Sequence, residues 1–337
     1  MKVLRQLDAL SPGTAACIGA FDGLHLGHRA LLDRAAALQP RVALVTFDPH
    51  PAMILAPSRA PTLLQSADQR ARVCAHLGLD ALVLLPFTRA MAAMEPGEFV
   101  RAILIDGLRP ASVVVGADFR FGAGRRGGIA DLRAHLEPAG IDVAVVELRA
   151  DEGAAEKIGS SAIRAAIRDG DVEVARAQLG RIYAVEGEVI HGAGRGRGLG
   201  VPTANVACPG ALLPPPGVYA AALQVVDPSS PLYGSRWAAA ANLGTNPTFT
   251  EPGADAQPVT LEVHALDVDL GDRLYGLRVE VGFVRRLRDE RRFPGADALR
   301  EAIAADLDAA RELVDAAVLE ELWSPLPASQ VGAEGAR

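Results

Sequence analysis

The sequence predicts an α/β half followed by a β-rich half. Three observations carry this. Between residues 15 and 146, short apolar runs alternate with helix-forming segments, the pattern of a doubly wound parallel sheet with helices on both faces. From Tyr183 onward the texture changes to residues alternating with period two, as in antiparallel strands. Near the end, Leu299, Ile303, Leu307 and Leu313 recur at helical spacing over residues 296–314.

The elements follow in order. Residues 15–18 form an apolar run that reads as a buried strand, and Arg29 to Leu38 reads as a helix with Leu31, Ala35 and Leu38 on one face. Residues 41–47 read as a second strand, stopped by Pro49 and Pro51. A helix over 67–77 closes at Gly78, and 81–85 is a third strand. A helix over 96–106 has Pro96 at its start and Gly107 just beyond its end. Strands over 113–115 and 143–146 flank a short helix at 129–137. A helix capped by Ser160 and running through Arg168 is followed by another from Val172 to Leu179 that ends at Gly180, where the domain boundary is placed. The expected domains are 1–180 and 181–318, with 319–337 a loose tail in which Leu319 and Leu322 can still prolong the helix and the residues after Ser324 contribute little to folding.

At 337 residues, half of them hydrophobic, the chain is long enough for two domains with ordinary cores. A net charge of −7 argues against general nucleic-acid or anionic-membrane binding. No apolar run reaches transmembrane length, and the first residues lack a signal-peptide core. Cys17, Cys74 and Cys208 are far apart and not in metal-ligand spacing, so they read as reduced thiols of a cytoplasmic protein. The composition leaves the oligomeric state open.

The chemistry of the first half centres on Gly19-Ala20-Phe21-Asp22-Gly23-Leu24-His25-Leu26-Gly27-His28, between a strand and a helix. A helix start offers unpaired N–H groups and a positive dipole end, and both favour phosphate. Gly19 and Gly27 let the backbone approach a ligand. His25 and His28 can donate to phosphoryl oxygens, which stabilises a transition state electrostatically. Ligands in open parallel sheets sit beyond the carboxyl ends of the strands. Three unusual segments meet that description: this turn, residues 46–51 and residues 116–122.

The paired histidines resemble the H-x-G-H signature of the nucleotidylyltransferases, and the longer string resembles one branch, the bacterial bifunctional riboflavin kinase/FAD synthetases. The resemblance implies a Rossmann-like nucleotidylyltransferase domain that joins ATP and FMN into FAD with release of pyrophosphate. It implies that Phe21 is part of the ATP site, and that Phe47, Asp48 and Asp118 line the flavin and ATP pocket. Ser160, Ser161 and Arg164 match the family's S-[ST]-x-x-R motif, in which hydroxyls and a cation at a helix N-terminus face the triphosphate. The chain departs from common family residues at Ala20, where Asn is frequent, and at Ala162, where Arg is frequent.

In the second half, strands are expected at 183–191, 218–225, 237–243, 260–265 and 277–283, giving an antiparallel barrel or sandwich. The glycine-rich run 192–198 is not a dinucleotide fingerprint, because Pro202 follows and no helix opens. With Arg195, Arg197 and Gly198 it reads as a lid over phosphates, and Thr203 and Asn205 carry oxygen donors suited to Mg²⁺ and phosphate. The stretch His191 to Asn205 resembles the riboflavin kinase signature. That resemblance implies a β-barrel kinase domain that phosphorylates riboflavin to FMN with ATP and Mg²⁺, and it implies Glu262 as the general base for the ribityl hydroxyl. Two other readings of the whole chain are a nucleotidylyltransferase of different specificity and a non-catalytic flavin-binding protein.

Overall fold

The computed structural model describes residues 1–147, 158–192, 200–245 and 259–322. The chain forms two compact units divided between Ser160 and Ser161.

The first unit is built on six parallel strands: β1 (Lys2–Leu4), β2 (Thr14–Ile18), β3 (Arg41–Phe47), β4 (Ala81–Leu85), β5 (Ser112–Gly116) and β6 (Asp142–Val146). Their order in the sheet is β1-β4-β3-β2-β5-β6. The central strands are buried on both faces, so they read as continuous apolar runs rather than alternating ones. Helices α1 (Leu26–Leu38), α2 (Pro51–Leu55), α3 (Ala67–His76), α4 (Arg89–Ala93), α5 (Pro96–Phe99) and α6 (Ile129–Leu136) connect them. One apolar layer gathers Ile18, Val45, Val83, Leu104 and Leu132, and the other gathers Cys17, Leu31, Leu44, Val73 and Leu82.

Three expectations need correction here. Strand β1 was absent from the sequence reading, because a three-residue edge strand with exposed ends has no period to detect. Helix α1 begins at Leu26, not Arg29, so Gly27 and His28 stand in its first turn. Gly107 does not end its helix. The chain from Val100 to Leu108 winds as a π-helix, and the Arg109 N–H donates five residues back to the Leu104 carbonyl. The wider turn carries the helix two residues further, and Arg109 takes the left-handed position at φ +51°.

The second unit holds α7 (Ser160–Asp169) from its second residue, α8 (Val172–Leu179) and a closed barrel. The barrel strands are β7 (Tyr183–Ile190), β8 (Ala204–Ala207), β9 (Gly217–Val225), β10 (Arg236–Thr245), β11 (Val259–Ala265) and β12 (Arg278–Arg288), in the order β10-β11-β8-β7-β12-β9. All neighbours are antiparallel. Strand β8 is a further difference: the sequence marks Thr203 and Asn205 as oxygen donors and gives no strand there. Ion pairs join Glu173 of α8 to Arg285 of β12, and Arg176 to Glu321. Helix α9 (Ala296–Leu313) lies over β9, β10 and β12. Ala220, Ala222 and Ala240 form a small-residue floor beneath it, where Ala310 and Val314 pack. Helix α10 (Ala316–Glu320) follows. The lid residues Arg195, Arg197 and Gly198 and the predicted tail beyond Leu322 lie outside the described residues.

Candidate active sites

In the first unit β2 lies between β3 and β5, and the sheet changes winding direction between β2 and β5. Such a switch point opens a crevice at the strand ends. The turn after β2, the segment after β3 and the segment after β5 therefore stand side by side along one edge of the sheet, as the sequence reading required.

The turn is tightly determined. Phe21, Gly23 and Leu24 all have positive φ, at 44°, 90° and 41°. For Phe and Leu this conformation costs about 1–2 kcal/mol each, and it persists only where surroundings fix it. The Gly19 N–H donates to Val45 O at 3.1 Å, and Thr46 Oγ1 donates to Ala20 O at 2.9 Å. A side chain at Gly19 would press on the Phe21 ring at 3.2 Å, so glycine is needed for close approach. Phe21 itself is buried and meets the His28 ring edge-on at 5.0 Å.

His25 is the N-cap of α1. Its Nδ1 accepts the His28 N–H at 3.4 Å, and its ring stacks on that of His28 at 3.6 Å and 19°. A ring nitrogen that accepts carries no proton, so a neutral His25 carries its proton on Nε2. This sharpens the sequence reading: one His25 nitrogen serves the helix and the other is the donor. His25 is buried and His28 half-buried.

Asp22, to which the sequence reading gave no role, is a hub. It is 3% exposed. Its carboxylate accepts the Leu64 N–H at 2.9 and 3.2 Å, and its carbonyl accepts the Ser160 hydroxyl at 2.9 Å. Ser160 is the first residue of α7 rather than the cap before it. Arg70 of α3 is also 3% exposed, and its Nε makes no hydrogen bond. Burial pushes the Arg70 guanidinium below its ordinary value, while Asp22, Cys74 and Asp48 push it back up.

Phe47 ends β3, half-buried, with its ring edge-on to Phe87 at 5.4 Å. Asp48 follows, exposed, 3.6 Å from the Arg5 guanidinium, and its N–H donates to Leu85 O. Asp118 stands exposed two residues after β5, its Oδ1 folded back towards Gly116. Phe119 and Phe121 stack beside it at 5.5 Å. Ser161 and Arg164 follow Ser160 on α7 past the division, so the structure does not join them with His25 and His28 in one unit. Arg164 is buried on the face of α7 shared with Ile163 and Ile167.

The second unit presents a different kind of site. Asn205 of β8, Glu262 of β11 and Asn242 of β10 stand in register across three strands. Leu261 and Val263 are 1% exposed and fill the barrel, so Glu262 points outward. It is only half-buried, yet it is no solvated surface residue. With Thr203, Asn242 and Arg291 it lines a cleft of about 390 Å³ between the barrel wall and α9. Arg288 floors this cleft and is held by the Asp306 carboxylate at 2.7–3.1 Å. Phe293 lies under the Arg288 and Arg291 guanidinium groups at 5.4 and 4.9 Å.

Thr203 also lines a second cavity of about 360 Å³, with Gly200, Val263, Asp269 and Tyr275. The His191 ring stacks on Tyr275 at 3.9 Å. His264 Nδ1 donates to Pro202 O at 2.7 Å and fixes the residue before Thr203. Gly192 packs so closely on Asn205 that a side-chain carbon there would overlap the amide.

The FAD synthetase family matches residues 8–162, and the riboflavin kinase family matches residues 179–314. The chain belongs to the bifunctional riboflavin kinase/FMN adenylyltransferases. A member from Escherichia coli K12 is 36% identical over 320 residues, which is 93% of this chain and 97% of that one. A Pseudomonas fluorescens member is 37% identical with 93% and 98% covered. A Bacillus subtilis member is 33% identical with 86% and 89% covered. A crystal structure from Streptococcus pneumoniae, described as a macrolide-efflux protein, superposes with a TM-score of 0.79 at 28% identity over 93% of this chain and all of its own. The bifunctional enzyme makes FMN from riboflavin and FAD from FMN. Neither alternative reading of the sequence is favoured, because the matches run through both halves. Among the described residues no three His, Cys, Asp or Glu side chains cluster to hold a metal, and no helix is long and apolar enough to cross a membrane.

Proposed function

We propose that each unit carries one of the two reactions, at the two places described. The observation that carries this is the pairing of the stacked His25–His28 turn at the sheet's switch point with the Glu262 row on the barrel.

In the first reaction an FMN phosphate oxygen attacks the α-phosphorus of ATP, and the bond to pyrophosphate breaks. His28, His25 Nε2 and the first-turn N–H groups of α1 stabilise the charge that develops on the phosphoryl oxygens. Gly19, Phe21 and Gly27 shape the turn against the nucleotide. Phe47, Asp48 and Asp118 hold the flavin, with the rings of Phe87 and Phe119 nearby. For Ser160, Ser161 and Arg164 the assignment to the triphosphate rests on the motif.

In the second reaction the ribityl 5′-hydroxyl attacks the γ-phosphorus, its proton passes to Glu262, and ADP leaves. That places riboflavin in the 390 Å³ cleft, where Phe293, Ile303 and Leu307 supply apolar surface. ATP then occupies the 360 Å³ cavity, and its γ-phosphate meets the hydroxyl at Thr203, which both spaces share. The donors at this meeting point are the Thr203 hydroxyl, the Asn205 amide and the Glu262 carboxylate. All are oxygen donors of the kind that hold Mg²⁺ jointly with phosphate, so their chemistry suits magnesium rather than zinc. Mg²⁺ bound at Thr203 and Asn205 would neutralise phosphate charge. We place both reactions in the cytoplasm, with no nucleic acid or membrane as partner.

Incubation with riboflavin and ATP, followed by chromatographic separation of FMN and FAD, tests the pair of reactions. Chelation should abolish both products and Mg²⁺ should restore them. Recovery with Zn²⁺ alone would contradict the oxygen-donor assignment.

A further inference from the structure

The row that carries Glu262 runs further round the barrel than its two asparagines. Asn242 stands opposite Val218 of β9, and Val218 stands opposite Arg288 of β12. Antiparallel register therefore sets Asn205, Glu262, Asn242, Val218 and Arg288 abreast on five strands. The proposed base and Arg288 are three strand spacings apart, about 14 Å along the sheet. Both line the cleft beneath α9.

Arg288 is fixed in place. Its side chain is 21% exposed and that of Asp306 is 12% exposed. Arg288 Nε donates to both Asp306 carboxylate oxygens at 3.0 and 3.1 Å, Nη2 donates to Oδ2 at 2.7 Å, and Nη1 donates to Asp289 O at 3.1 Å. A guanidinium carries five N–H groups. Among the described residues these bonds take three, and one N–H on each of Nη1 and Nη2 is left over. Between Arg288 and the base the cleft is lined by Val218 and Ala240 of the barrel and by Ile303 and Leu307 of α9.

We propose that Arg288 is a specificity-determining residue that donates to a carbonyl oxygen at the dioxopyrimidine end of riboflavin's ring, and that Asp306 positions it. The inference rests on the reading that puts the ribityl hydroxyl at Glu262. From there the flavin extends along the row, and its polarity matches the cleft. The ring is flat, uncharged and apolar until its far end, which bears two carbonyl oxygens. An unpaired guanidinium would favour an anion. Asp306 cancels that charge, holds the fork in one orientation and leaves N–H donors for a neutral acceptor.

The test measures KM for riboflavin and kcat of the kinase step in Arg288→Met, Asp306→Asn and the double variant Arg288→Met with Asp306→Leu. FMN-to-FAD turnover in the same preparations is the internal control, since the first unit contains neither residue. A hydrogen bond from a charged donor is worth roughly 10–100-fold in binding. Arg288→Met should raise KM by about that factor with kcat within about threefold of wild type, and a wild-type KM overturns the proposal. Asp306→Asn keeps one oxygen for the guanidinium and should raise KM by about 3–10-fold. An unchanged KM there overturns the positioning role.

The double variant replaces the pair by apolar groups that can pack, so it separates recognition from structure. A KM that stays at least about tenfold raised supports the proposal, and a return to the wild-type KM overturns it. It also decides the matter if Arg288→Met alone does not fold. Donation to a ring carbonyl alters flavin absorption, so the visible spectrum of riboflavin bound at saturation should differ between wild type and Arg288→Met. An identical spectrum overturns the contact. Glu262→Ala is run beside them. A wild-type kinase rate in that variant overturns the placement of the chemistry and this inference with it. A dead Glu262→Ala beside a wild-type KM in Arg288→Met overturns this inference alone.

Discussion

The two proposed sites would handle the same ligand, the triphosphate of ATP, with opposite construction. In the first unit the backbone does the presenting. A strained turn, a histidine N-cap and a helix start would offer donors to phosphate, and buried polar contacts hold the turn in place. In the second unit the ladder does the presenting. Asn205, Glu262 and Asn242 stand abreast because antiparallel register puts them there, on strands whose other faces fill a barrel. The difference teaches where each site is vulnerable. A turn is spoiled by loss of its anchors, and a ladder is spoiled by anything that pushes a side chain off its row.

The largest effect should come from the ladder. Glu262→Ala removes the proposed base, and general bases contribute roughly 10²–10⁴. Riboflavin phosphorylation should fall by about that factor, while FMN supplied directly should still become FAD. Its phosphate is already an anionic nucleophile and needs no base. Loss of both activities in a folded protein would erase the distinction between the sites.

Next comes the turn. His28→Ala removes one donor aimed at developing charge, typically worth about 10²–10³ in rate. The variant should accumulate FMN from riboflavin and stop there. Product analysis over time reads this directly, and continued FAD formation at a normal rate would move the chemistry away from the turn.

Gly192→Ala sharpens the ladder side. The added carbon would overlap the Asn205 amide, so Asn205 must leave its row. A kinase rate lower by about 10–100-fold is expected, with FAD synthesis from FMN intact. A kinase rate within twofold of wild type would mean that Asn205 is not needed where it stands.

The smallest effect should come from Arg5→Ala. Its partner Asp48 is in the proposed flavin site, but both side chains are largely in water, at 62% and 45% exposure. Exposed pairs of this kind are worth about 0–1 kcal/mol and are screened by salt. KM for FMN should rise by about twofold at low ionic strength and less at high. A tenfold rise that persists in salt would show that this exposed pair shapes the flavin site despite its exposure.

What the sequence revealed follows the same division. The alternation of apolar runs and helices was enough for the parallel sheet, and period two was enough for most of the barrel. The histidine turn was legible because its glycines and histidines are local. Glu262 stood out only through the family motif, since alternation alone sends it to an outer face like any strand glutamate. Only the packing of α9 turns that face into a cleft. Asp22 was illegible as an anchor, because its partners Leu64 and Ser160 lie 42 and 138 positions along the chain. Gly192 was read as part of a flexible loop, and nothing local announces its contact with Asn205 thirteen residues on. Strand β8 was hidden because it has only four residues and the first two belong to the ligand motif.

The central claim is that two distinct sites carry the two reactions independently, with free FMN between them. It is tested most directly by mixing Glu262→Ala with His28→Ala in one tube with riboflavin, ATP and Mg²⁺. Neither variant alone should make FAD from riboflavin. The mixture should, because His28→Ala releases FMN and Glu262→Ala adenylylates it. A mixture of two folded variants that yields FMN but no FAD would contradict the account.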